Sequence, residues 1–111
     1  MNKEFNCPVE ATISLIGGKY KSVILFHLRG KTLRYSELHK KIPKATDKML
    51  AQQLRELEKD GLIKRTVYPV VPPKTEYNLT EFGESLSPIL NAMCNWGESY
   101  LNIPSQCVEE S

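Results

Sequence analysis

Apolar residues recur at helical spacing through most of the chain, and glycine, proline and hydroxyl residues mark the breaks between the repeats. Val9, Ile13 and Ile16 fall at i, i+4 and i+7 behind Pro8, whose fixed φ suits a first helical turn, so a helix is predicted over about residues 8–18, closed by Gly17 and Gly18. Tyr20, Val23, Ile24 and Leu28 line one side of a second helix that Gly30 ends. Leu33 and Tyr35 flank Arg34 as a very short strand. Ser36 is placed to cap a helix of barely two turns carrying Leu38 and Ile42, stopped by Pro43. After that break Thr46 offers a cap, Asp47 favours the positive end, and a longer helix is predicted over about 46–60, before Gly61. Two helices joined this tightly predict a helix-turn-helix. The period then changes to two: residues 63–68 and 75–79 read as the strands of a hairpin, a wing of about 63–79. Its tip holds Pro69, Pro72 and Pro73, which cannot donate ladder hydrogen bonds, so it should protrude. Thr80 caps the last predicted helix, about 80–102, in which Phe82, Leu86, Ile89, Leu90, Met93, Trp96, Tyr100 and Leu101 repeat every three or four residues. Pro88 should kink or split it near Glu84 or Ser85, and residues 106–111 are expected to fray. The expected fold is mainly α with a small β-hairpin.

A chain of 111 residues with 41% hydrophobic and 25% charged positions suits one folded domain, with 1–111 as a single unit. The longest stretch free of charged residues and histidine runs from Ser85 to Gly97 and contains Pro88, too short and broken for a bilayer; the amino-terminal segment also lacks the layout of a secretion signal. A cytoplasmic protein with no membrane partner is expected. Cys7, Cys94 and Cys107 show no paired spacing with each other or with His27 and His39, which argues against a zinc site and a disulfide scaffold. There is no glycine-rich phosphate loop, no carboxylate dyad, and no histidine recognisably beside a nucleophile. Neither a cofactor nor catalysis is expected. His27 should lie on the buried side of its helix and His39 on a basic solvent face.

Charge is unevenly placed. Residues 19–74 carry 14 of the 15 Lys and Arg against five acids, whereas residues 75–111 carry six acids and no base. The basic segment would attract a polyanion. On a wheel of 100° per residue, Leu50, Leu54 and Leu57 share one side of the 46–60 helix, and Lys48, Gln52, Arg55 and Lys59 the other. Arginine takes guanine O6 and N7 in the major groove as a bidentate pair, and glutamine does the same with adenine N6 and N7. Gln52 and Arg55 are therefore the candidate base readers. Lys44, Thr46 and Lys48 sit at the amino end, where free amides and the helix dipole help hold phosphates. In the wing, Lys64 and Lys74 are candidates for phosphate or minor-groove contact, ahead of Arg65, which can point into the covered face. Taken alone, a basic outer face is also what an ordinary solvated helix presents.

The segments CPVEATISLIGGKYK, LRYSELHKKIP, KMLAQQLRELEKDGLIKRTVYPVVPPKTEYNLTEFG and CNWG, in this order, resemble the HxlR-type winged helix-turn-helix regulators of bacteria. The resemblance implies a homodimeric, DNA-binding transcriptional regulator with a wing, and a dimer of this design should prefer double-stranded DNA with twofold-related half-sites. It also implies that the terminal helices build the dimer, with Val9, Ile13, Leu86, Leu90, Met93 and Trp96 at the seam, and it assigns Lys48, Gln52 and Arg55 to the reading helix. The long apolar stripe of the last helix independently exceeds what so small a core needs, a pure core role for these residues being the other reading. Cys7, directly before Pro8, sits at a helix amino terminus whose dipole favours a thiolate. Some members of the family respond to oxidants or electrophiles through the corresponding thiol, so Cys7 is a candidate sensor; packing as a small apolar residue is the other reading. Cys107 is a candidate resolving thiol, and Cys94 reads as packing. A winged-helix module that binds an acidic protein and no specific DNA remains the alternative function.

Overall fold

The computed structural model describes residues 5–104. Its elements run α1 (Pro8–Ile16), α2 (Lys21–Leu28), β1 (Thr32–Arg34), α3 (Tyr35–Lys41), α4 (Asp47–Lys59), β2 (Ile63–Tyr68), β3 (Lys74–Leu79), α5 (Glu81–Glu84) and α6 (Ser87–Leu101). This is the winged helix-turn-helix expected from the apolar periodicity. α4 starts where Thr46 Oγ1 accepts the Met49 amide at 3.1 Å, and α5 starts in the same way at Thr80, whose Oγ1 accepts the Gly83 amide at 3.0 Å. Pro88 does split the last apolar stripe: α5 ends at Glu84 and α6 begins at Ser87.

Two local expectations change. Ser36 does not cap α3. The cap is Arg34, two residues earlier, and its amide donates to Glu37 Oε1 at 2.7 Å, so the carboxylate three residues on serves the start of the helix. The wing is also more than a hairpin. β3 pairs antiparallel with β2, Ile63 opposite Leu79 and Tyr68 opposite Lys74, and on its other edge with β1, Leu33 opposite Tyr77, giving a three-stranded sheet in the order β1-β3-β2.

The core gathers Ile24, Leu25 and Leu28 of α2, Leu38 of α3, Leu50, Leu54 and Leu57 of α4, Leu62 and Ile63, and Leu90 of α6. One close approach ties the sheet to the carboxy-terminal helices. A Cβ on Gly83 would stand 2.1 Å from the Leu62 carbonyl oxygen, so only glycine lets α5 lie against the strand entrance. No helix among the described residues is long and apolar enough to cross a membrane.

Candidate nucleic-acid interface

α4 sorts its side chains as its sequence demands. Leu50, Gln53, Leu54 and Leu57 are buried, while Lys48, Gln52 and Arg55 are exposed, as are Lys44 and Thr46 just ahead of the helix. Five of the candidate residues thus stand at one helix and its entrance, open to solvent. The angle between α3 and α4 is pinned by three side chains across the turn. Tyr35 donates its hydroxyl to Asp47 Oδ1 at 2.8 Å, His39 Nδ1 lies 3.2 Å from that same oxygen, and His39 Nε2 lies 2.9 Å from the Ala45 carbonyl. His39 is therefore a brace of the turn rather than a group on a solvent face. Burial, the hydrogen bond to Asp47 and its negative charge push the Tyr35 phenol up to about 12, so it stays a donor.

Behind α4, contacts from α2 fix its position. Gln53 Oε1 accepts the Tyr20 amide at 3.0 Å, and the buried Lys21 reaches Glu56 Oε1 at 2.8 Å. Lys21, Gln53 and Glu56 were not singled out by the sequence reading, although helical phase marks two of them. Lys21 heads the i+3, i+4, i+7 series Ile24, Leu25, Leu28, and Gln53 falls only about 60° from Leu50 on the wheel.

The wing residues differ in freedom. Lys64 and Arg65 are both exposed, so Arg65 does not turn into a covered face. Lys74 is half-buried and engaged: its Nζ lies 4.8 Å from the Tyr68 ring centroid and 3.8 Å from Glu76 Oε2, and Tyr68 in turn donates to Glu76 Oε1 at 3.1 Å.

The residues expected at a dimer seam divide into two groups. Leu86 and Leu90 are 9% and 2% exposed and belong to the core of the chain itself, which corrects their assignment to a seam: apolar periodicity marks burial without saying against what. Val9, Ile13, Met93 and Trp96 remain 62%, 56%, 47% and 70% exposed, and the Trp96 ring stacks on Tyr100 with centroids 5.5 Å apart. α6 is fastened to α2 through Arg29, whose guanidinium lies over the Phe26 ring at 4.0 Å and donates to Asn91 Oδ1. Cys7 is exposed at the amino-terminal cap of α1 and is the free cysteine among the described residues. Cys94, expected as packing, is disulfide-bonded, and Cys107 lies outside the described residues. No group of three or more His, Cys, Asp or Glu among the described residues is placed to hold a metal.

Residues 15–105 match the family model of the HxlR-like helix-turn-helix. The chain is 54% identical over 94 residues to the helix-turn-helix transcriptional regulator YdeP of Bacillus subtilis, covering 85% of this chain and 73% of YdeP. It is 55% identical over 100 residues to YtcD, a helix-turn-helix transcriptional regulator of the same organism, covering 90% and 79%. Among solved structures it is similar to the redox regulator HypR in its oxidised form, with a TM-score of 0.80 at 50% identity, covering 84% of this chain and 96% of that one. The named relatives are regulators of transcription rather than enzymes.

Proposed function

We propose that this chain, which belongs to the HxlR-like helix-turn-helix family, regulates transcription by binding double-stranded DNA sequence-specifically as a homodimer. The observation that carries this reading is the two-sidedness of α4, with leucines and Gln53 sunk into the core and Lys48, Gln52 and Arg55 facing solvent. In the major groove Arg55 takes a guanine and Gln52 an adenine, and Lys48 adds a phosphate or base contact at the helix start. Lys44 and Thr46 hold the backbone there. The Thr46 oxygen already accepts the Met49 amide, but its hydroxyl hydrogen is left to donate to a phosphate. Lys64 contacts phosphate from the wing, and Lys74 contributes less because it must first leave Glu76.

The whole chain acts as one winged helix-turn-helix unit, with dimerisation through residues 8–18 and 80–102. Val9, Ile13, Met93 and Trp96 supply exposed apolar surface for a second copy. Two reading helices then enter successive major grooves about 34–36 Å apart, and the operator is twofold-related. An oxidant or electrophile reacting at Cys7 changes their spacing. Exposure of that thiol and likeness to a redox regulator support this step.

Selection of sites from a random duplex pool, followed by titration of the chosen duplex, tests the reading. Affinity should fall steeply with salt as neutralised phosphates recapture counterions. Arg55→Ala should cost about 1–3 kcal/mol and relax sequence preference, while Lys64→Ala should weaken all duplexes alike. Diamide or a quinone should alter binding by the natural protein and leave Cys7→Ser unchanged. A protein that ignores duplex even in dilute salt is instead an interaction module.

A further inference from the structure

Glu56 is a carboxylate standing on the basic face of the reading helix, where it would repel a phosphate backbone, so its presence needs a reason. Both of its oxygens are engaged. Oε1 takes the buried Lys21 ammonium at 2.8 Å, and Oε2 accepts from Gln52 Nε2 at 3.2 Å. Lys21 is itself almost wholly enclosed at the start of α2, so the chain Lys21–Glu56–Gln52 runs from a fixed point in the core to the tip of a base-reading side chain. These two hydrogen bonds also hold the Glu56 carboxyl below the usual carboxylate range, which keeps it an acceptor only.

A glutamine amide presents one edge with a donor and an acceptor, and a free side chain can turn that edge over at little cost. A carboxylate removes the choice, because only the NH2 end can face it. One amide hydrogen is given to Glu56; the other, beside the carbonyl oxygen, remains for the groove. The outward edge then reads in one order, nitrogen donating and oxygen accepting, the order that matches adenine N7 and N6. We propose that Glu56, anchored by Lys21, is a positioning residue that fixes the amide of Gln52 in one orientation and so commits its reading position to adenine. This rests on the assignment of Gln52 as a base reader given above.

Glu56→Gln tests it, because glutamine at 56 has the same shape but meets either end of the Gln52 amide. Since that change leaves the buried Lys21 without a counter-charge, the double variant Lys21→Met/Glu56→Gln is made alongside it, and circular dichroism verifies folding of both. Full-length proteins are put through selection on a random duplex pool and titrated with the chosen duplex and its single-base variants. The natural protein should show an adenine preference in each half-site that Gln52→Ala abolishes. In both Glu56→Gln proteins discrimination at that position alone should fall about tenfold or more, with the guanine position read by Arg55 retained. Adding Glu56→Gln to Gln52→Ala should change no base preference further, although the lost carboxylate strengthens binding to all duplexes alike. Unchanged adenine preference, equal weakening on every duplex, or a change in base discrimination that persists in the Gln52→Ala background would each overturn the proposal while leaving the regulator reading intact. A natural protein that selects no duplex would overturn both.

Discussion

Gln52 and Gln53 are adjacent and identical, yet one faces solvent while the other is buried against the Tyr20 amide. The outward phase of the first marks it as functional, whereas the second is hidden because glutamine, like lysine, is by default a surface residue and only its helical phase betrays burial. His27 shows a similar dependence on context. It was expected on the buried side of α2; burial, followed by the nearby charges of Lys41, Lys31 and Arg29, holds its imidazole below the ordinary value. In the folded protein the ring therefore resists protonation, while in the unfolded chain it accepts a proton near pH 6.5. Between those two values the unfolded state binds more protons, so stability rises with pH there and falls on acidification from neutrality. The melting temperature of the natural protein should drop more steeply below about pH 6.5 than that of His27→Gln. Parallel curves for the two would show that His27 does not contribute.

α1, β2 and the split between α5 and α6 were legible because Pro8, the period-two alternation and Pro88 act locally. The pairing of β1 with β3 was not. Thr32 and Asn78 are brought together by the intervening helices, and no local periodicity encodes a contact at that separation. Gly83 was likewise missed, since its role appears only when α5 meets the Leu62 carbonyl. Gly83→Ala should destabilise by about 1–3 kcal/mol through overpacking. Urea unfolding should report this as a lower midpoint at unchanged slope. An unchanged midpoint would mean that the sheet entrance yields without cost.

Across the molecule, the apolar stripe of the last predicted helix serves two ends. Leu90 belongs to the core, and Trp96, about two turns on, projects from it. The two should fail differently. Leu90→Ala should cost about 2–5 kcal/mol of folding stability. Trp96→Glu should leave the fold intact, shift sedimentation from dimer to monomer, and weaken binding to a twofold site far more than to a half-site. A natural protein that sediments as a monomer at micromolar concentration would remove the dimer from the proposed function. Sequence showed the surplus of apolar surface but could not apportion it, because a period of three and four is the same for a residue covered by its own chain and one covered by a copy.

The Arg29 clasp gives the fold a mechanical character. With α6 fastened to α2 through Asn91, and α2 fastened to α4 through Gln53 and Glu56, a turn at the seam has little slack in which to be absorbed. Each half of the proposed dimer then behaves as a stiff lever arm of about 17 Å, half the groove spacing. A pivot of about 10° at the fulcrum would carry the far end some 3 Å, a shift comparable to one base-pair step, about 3.4 Å. A chemical event too small to disturb any single contact on DNA would thus be magnified by leverage into a misfit at both grooves at once.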